Sequence, residues 1–164
     1  MVKNNQQGWT IVELCIVVAI LGLVVMIAPT ILNETTKVFI LGKTKLDLQQ
    51  QARAAMYIMT RELRQAQSSS ITIDNAAGQP FYSRISFTKP SGQTITYAQK
   101  GNSILFTMGT NNTVITTNLA YLAFTFPRSD DMTIVSVSMT LQEQIYGGAF
   151  KALHMASERV RVMN

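Results

Sequence analysis

Across its 164 residues the chain is 47% apolar and only 14% charged, too apolar for intrinsic disorder and long enough for one core of ordinary size. Its 14 Lys and Arg against 9 Asp and Glu leave a net charge of +5, spread along the chain rather than gathered into the basic stripe that a dedicated nucleic-acid binder carries. The single cysteine, Cys15, excludes an intrachain disulfide and a cysteine-built zinc site, and the single histidine, His154, excludes multi-histidine metal sites.

The first element in chain order is a helix of membrane length. The 19 residues from Leu14 to Leu32 carry no charge and are flanked by Glu13 and Glu34; at about 1.5 Å per residue they span roughly 28 Å, close to a bilayer core of about 30 Å. The short leader before them carries Lys3 and no acid, which places the N-terminus in the cytoplasm and the bulk of the chain outside. An ordinary secretory signal is a poor fit, because Met26-Ile27-Ala28-Pro29 offers no good cleavage site. A lipoprotein signal fails too, because Glu13-Leu14 rather than a small residue precedes Cys15. What remains is a plain anchor, or a segment processed where Gly8 meets Trp9.

Those residues carry a resemblance. Gly8-Trp9-Thr10-Ile11-Val12-Glu13-Leu14, followed by Val17, Ala19, Ile20 and Gly22, is similar to the class III signal of type IV prepilins and type II secretion pseudopilins. The resemblance implies a leader, residues 1–8, cut by a prepilin peptidase between Gly8 and Trp9, and N-methylation of Trp9 by the same enzyme. Trp9 departs from the phenylalanine usual in that family but keeps an aromatic ring. It further implies that Thr10, Glu13 and Leu14 serve subunit assembly, with Glu13 pairing with the freed amine of Trp9 on the same chain or a neighbour. Physical chemistry independently requires a partner for Glu13, since a carboxylate at the edge of an apolar helix costs a few kcal/mol to hold in lipid, roughly 2.5–3.5 kcal/mol at full depth. The competing reading is an interfacial acid facing lipid headgroups.

The helical pattern continues beyond the apolar block. Leu48, Ala52, Ala55, Met56, Met59, Leu63 and Ala66 recur at intervals of three and four, with Arg53, Arg61, Glu62 and Arg64 off the stripe. One helix from about Leu14 to Gln67 is expected, kinked at Pro29 and loosened at Gly42. Residues 9–33 form its membrane and assembly half, and residues 34–67 its amphipathic half.

After Ser68-Ser69-Ser70 the period changes to that of strands. Segments rich in Ile, Val, Thr, Phe and Tyr occur at Ile71–Asp74, Arg84–Thr88, Thr94–Ala98, Ser103–Thr107, Thr113–Thr117, Tyr121–Phe126, Thr133–Leu141 and Ala156–Met163. Turn residues at Lys89-Pro90-Ser91-Gly92, Gln99-Lys100-Gly101-Asn102 and Gly109-Thr110-Asn111-Asn112 join them as hairpins. Residues 68–164 are thus expected to form an extracytoplasmic antiparallel sheet covered by the second half of the helix: an α+β, pilin-like fold. Gly147-Gly148 reads as a flexible loop tip.

This C-terminal part is similar to J-type minor pseudopilins and PilW-like minor pilins over Met59–Ala66, Thr94–Tyr97, Gly101–Leu105, Asn118–Phe126 and Ala156–Asn164. The resemblance implies a minor subunit of a type II secretion pseudopilus or type IV pilus, placed in a tip complex that primes assembly. Its partners would be other minor and major subunits, the prepilin peptidase and methyltransferase, and the assembly platform of a bacterial inner membrane. No cofactor is expected, and no enzymatic motif is present: there is no Gly-x-Ser-x-Gly elbow, no phosphate-binding loop and no acid spacing that implies a catalytic pair. Asp130-Asp131 reads as a solvated turn, with calcium binding as the competing reading. A DNA- or surface-binding minor pilin and a plain membrane-anchored binding domain are the rival functions. The small positive excess left after loss of Lys3 is thin for tracking phosphates, so no nucleic acid is expected.

Overall fold

The computed structural model describes residues 10–162. Its elements are a helix α1 (Ile11–Arg64) followed by eight strands, β1 (Thr72–Asp74), β2 (Arg84–Thr88), β3 (Thr94–Lys100), β4 (Ser103–Met108), β5 (Asn111–Thr116), β6 (Leu119–Thr125), β7 (Ile134–Ile145) and β8 (Phe150–Arg161). The chain divides into two compact units between Leu41 and Gly42.

In the first unit α1 is the only regular element among the described residues. Its apolar side chains are largely exposed: Ile11, Leu14, Leu23 and Ile31 are all more than half exposed. This is the one helix among the described residues that is long and apolar enough to cross a membrane. α1 runs through Pro29, which has no N–H to give the preceding turn. Just beyond it the Thr35 and Thr36 hydroxyls donate back to the carbonyls of Ile31 and Leu32, each at 2.8 Å.

In the second unit the same helix becomes the core element of an α+β domain. Leu48, Ala52, Ala55, Met56, Met59, Leu63 and Ala66 are all buried, as the three-and-four spacing requires of a face packed on a sheet. The helix ends at Arg64, three residues before the expected Gln67, because Gln65 and Ala66 turn to bonds with the third residue back, Glu62 and Leu63. Ser68–Ser70 then forms one 3₁₀ turn.

The strands form two antiparallel sheets rather than one, of five strands in the order β1-β2-β3-β4-β5 and three in the order β6-β7-β8. β2 and β3 show strict alternation, with Ile85, Phe87, Ile95 and Tyr97 inward. The rings of Tyr97 and Phe106 lie 5.2 Å apart across β3 and β4. The sheets are joined through β6: the Leu119 and Phe124 N–H groups donate to the carbonyls of Asn102 (2.8 Å) and Tyr82 (2.9 Å). Tyr82 accepts this bond at φ 61°, a left-handed conformation uncommon for a non-glycine residue, with its own N–H donating to Asn75 Oδ1 at 2.9 Å.

Gln99 completes the junction. Its buried side chain accepts from the Leu122 N–H at 3.1 Å and donates to the Gly101 carbonyl at 3.1 Å. Gln99→Ala strands the Leu122 N–H in a dry site and is expected to cost about 1–3 kcal/mol, read as a lower midpoint in urea unfolding with an unchanged slope.

The last hairpin differs most from expectation. β7 and β8 are each 12 residues long and pair without interruption from Ile134↔Arg161 to Ile145↔Phe150. Gln142-Glu143-Gln144 gives no alternating signal in the sequence, so β7 was expected to end at Leu141 and β8 to begin at Ala156; each strand is carried further by its partner. Gly147-Gly148 is the tight turn between them, with positive φ at Tyr146, Gly147 and Gly148.

Candidate functional site

The start of α1 is built by its own sequence. Thr10 and Glu13 form a reciprocal cap: the Thr10 Oγ1 accepts from the Glu13 N–H at 3.3 Å, and Glu13 Oε2 accepts from the Thr10 N–H at 2.9 Å and from its hydroxyl at 3.0 Å. The Thr10 carbonyl accepts from the Leu14 N–H at 3.2 Å, closing the first turn. This Thr-x-x-Glu spacing starts the helix at Ile11, three residues before the expected Leu14. The spacing is legible in the sequence alone, within the same residues that carry the resemblance to a processing signal. A carboxylate in the first turn also meets the positive end of the helix dipole.

Glu13 thus has a partner within the chain, and its Oε1 makes no hydrogen bond among the described residues. The candidate cleavage and methylation positions, Gly8 and Trp9, lie outside the described residues. The cap does not depend on them covalently: a cut between Gly8 and Trp9 leaves Trp9-Thr10 as a peptide, so the Thr10 N–H persists. Leu14 is exposed on the same turn.

Asp130 and Asp131 are taken up by their own loop. Asp130 receives both arms of the Arg128 guanidinium, at 3.1 and 2.9 Å. Asp131 Oδ1 accepts from the Thr133 N–H and hydroxyl, at 2.9 and 2.5 Å, and those bonds hold its carboxyl below the usual carboxylate range. No group of three or more His, Cys, Asp or Glu that could hold a metal ion occurs among the described residues.

One charged cluster escapes the sequence reading. Glu62, off the apolar stripe, is buried at the end of α1. One of its oxygens pairs with Lys89, at the turn between β2 and β3; the other accepts from Arg61 Nη2 and Nε, at 2.9 and 3.1 Å. Burial pushes the Glu62 carboxyl up, but its bonds to Lys89 and Arg61 more than offset this and hold it below its ordinary value. Nearby, burial first and the Glu62 charge second raise the Tyr97 phenol, which therefore stays neutral. Only the Lys89-Pro90-Ser91-Gly92 turn brings Lys89 to Glu62, and spacing along α1 cannot reveal it.

Fold and helix together define an α+β domain carried by a chain whose N-terminal helix is long and apolar enough to cross a membrane. Comparison with protein families, curated proteins and solved structures finds no match to this chain.

Proposed function

We propose that this chain is a minor pilin or minor pseudopilin, a non-enzymatic subunit of a type IV pilus or type II secretion pseudopilus. It waits in the bacterial inner membrane as a single-pass protein and enters the filament tip complex with other minor and major subunits. The observation that carries the reading is the division of labour along α1. Up to Leu32 its apolar surface is exposed and needs lipid or other helices, whereas from Leu48 it is the core of a folded domain. A helix that only anchored a domain would satisfy the first requirement. The Gly8-Trp9 junction directly before a capped, acid-bearing helix start favours a processed subunit over a plain anchor.

In this reading the Thr10–Glu13 cap keeps the carboxylate partnered while the helix is in lipid. Oε1 is then the atom left for the Trp9 amine of the same or a neighbouring subunit, with helix packing replacing lipid during extraction.

The test is intact mass and N-terminal peptide mapping of the protein expressed with and without a prepilin peptidase. Peptidase-dependent loss of residues 1–8, leaving Trp9 first, is the expected result, and Gly8→Val should abolish it. An N-terminus left whole by an active peptidase would overturn the filament reading in favour of a membrane-anchored binding domain.

A further inference from the structure

The second unit contains a cleft that the filament reading does not use. On β7 the inward residues Val137, Met139 and Leu141 are fully covered, but their partners on β8, Glu158, Ala156 and His154, are only half-buried. The cover therefore thins over the middle of β8, between the buried Ala152 and Val160. Between this half-buried stretch and the helix lies a cleft of about 740 Å³.

Its helical wall is cationic. Arg53, Arg61 and Arg64 line it, with the Arg61 guanidinium 6.0 Å from the centre of the Tyr57 ring. Arg53 has no ion-pair partner among the described residues, Arg61 gives Nε and Nη2 to Glu62 and keeps only Nη1 for a further acceptor, and Arg64 reaches Glu158 only at 3.9 Å. Glu158 is the only acid in the lining.

The other wall is a sheet edge whose charged residues, Lys151, Glu158, Arg159 and Arg161, lie toward its two ends and leave its middle without the usual protection. β8 pairs with β7 alone, and its register runs over all 12 residues with no bulge. Leu153-His154-Met155-Ala156-Ser157 contains no Lys, Arg, Asp, Glu or Pro, and Met155 is 78% exposed. Such an edge offers a row of backbone donors and acceptors to an added strand.

The geometry points to this cleft as the docking site for an extended acidic segment of a partner protein, which adds to the β8 edge and directs its carboxylates at the arginines of α1. The spacing fits. Arg53 and Arg61 are separated by about 12 Å along the helix, and two residues four apart on a strand lie on the same face about 13 Å apart. The occupant thus carries acidic residues at positions i and i+4. A second copy of β8 is disfavoured as occupant because it would bring another set of arginines to the same place. A nucleic acid would use the guanidinium groups but leave the backbone edge unpaired. The inference does not require the chain to enter a filament.

The test uses the full chain in detergent micelles and fluorescent nonapeptides of alternating Thr and Val with two Glu, Gln or Lys residues four positions apart. Anisotropy is expected to show the Glu peptide binding about tenfold or more tightly than the Gln peptide, and N-methylation of alternate amides along one edge of the Glu peptide should abolish binding. Arg53→Glu, which breaks no ion pair, should leave thermal unfolding unchanged and abolish the preference for the Glu peptide over the Gln peptide. Equal binding of the Glu and Gln peptides, or no binding at millimolar peptide, would overturn the proposal. So would unchanged preference in Arg53→Glu, tighter binding of a single-stranded oligonucleotide, or self-association through β8 that excludes the peptide.

Discussion

Lys89→Met is expected to destabilise the second unit by about 1.5–3 kcal/mol, the range for a lost hydrogen bond to a charged group, since Glu62 keeps Arg61. Both partners are well covered, with side-chain exposures of 15% for Lys89 and 12% for Glu62. The mutation leaves Glu62 with Arg61 alone, whose own side chain is 56% exposed and therefore a weaker counter-ion. Methionine keeps the length and apolar stem of lysine, so the loss reports the charge rather than a cavity.

The pH dependence of this loss identifies its cause. The folded carboxyl of Glu62 lies below its ordinary 4.5, so the wild-type protein gains stability from it above that value and loses the gain as pH falls through the folded pKa. Without Lys89 the desolvation of Glu62 is no longer offset, and protonation relieves it. The gap between wild type and Lys89→Met should therefore be widest at pH 6–8 and narrow below about pH 4.5. Urea titrations at pH 7 and pH 3.5 measure it; a gap that stays constant would assign the loss to packing.

At the other end of α1, Glu13→Gln is expected to leave membrane insertion and peptidase cleavage intact while lowering incorporation into filaments by about tenfold or more. Glutamine preserves the acceptor oxygen of a Thr-x-x-Gln cap but removes the charge. Glu13→Ala loses both, and with them the helix-end cap. If the cap alone mattered, Gln would behave as wild type and Thr10→Ala would behave as Glu13→Ala. If pairing with the Trp9 amine matters, both Glu13 variants fail and Thr10→Ala falls between. Quantitative immunoblotting of sheared filaments against whole membranes reads all three, and full incorporation of Glu13→Gln would remove the pairing role.

These variants probe different levels of encoding. The Thr10–Glu13 cap and the stripe from Leu48 to Leu63 follow from spacing along one helix, where the side chains concerned are about a turn apart. β2, β3 and β4 were likewise legible, because alternation such as Arg84-Ile85-Ser86-Phe87-Thr88 reports a strand with one covered face. The ends of β7 and β8 were not legible, since Gln142–Gln144 and Phe150–Met155 acquire strand geometry from each other. The junction between the two sheets was not legible either, because it depends on side-chain and backbone bonds of Gln99, Tyr82 and Asn102 to β6, across up to 42 residues of chain in the case of Tyr82 and Phe124.

What the sequence determined by itself was therefore the local periodicity: a helix apolar on all sides up to Leu32, a single apolar face after Leu48, then strands. Tertiary structure alone decided that Glu62 would be buried with Lys89 and that β8 would keep an open edge beside three arginines. The physical reason is range. Helix and strand periods arise between neighbours in the chain, whereas the burial of a charge or the exposure of an edge is set by whichever distant segment packs beside it.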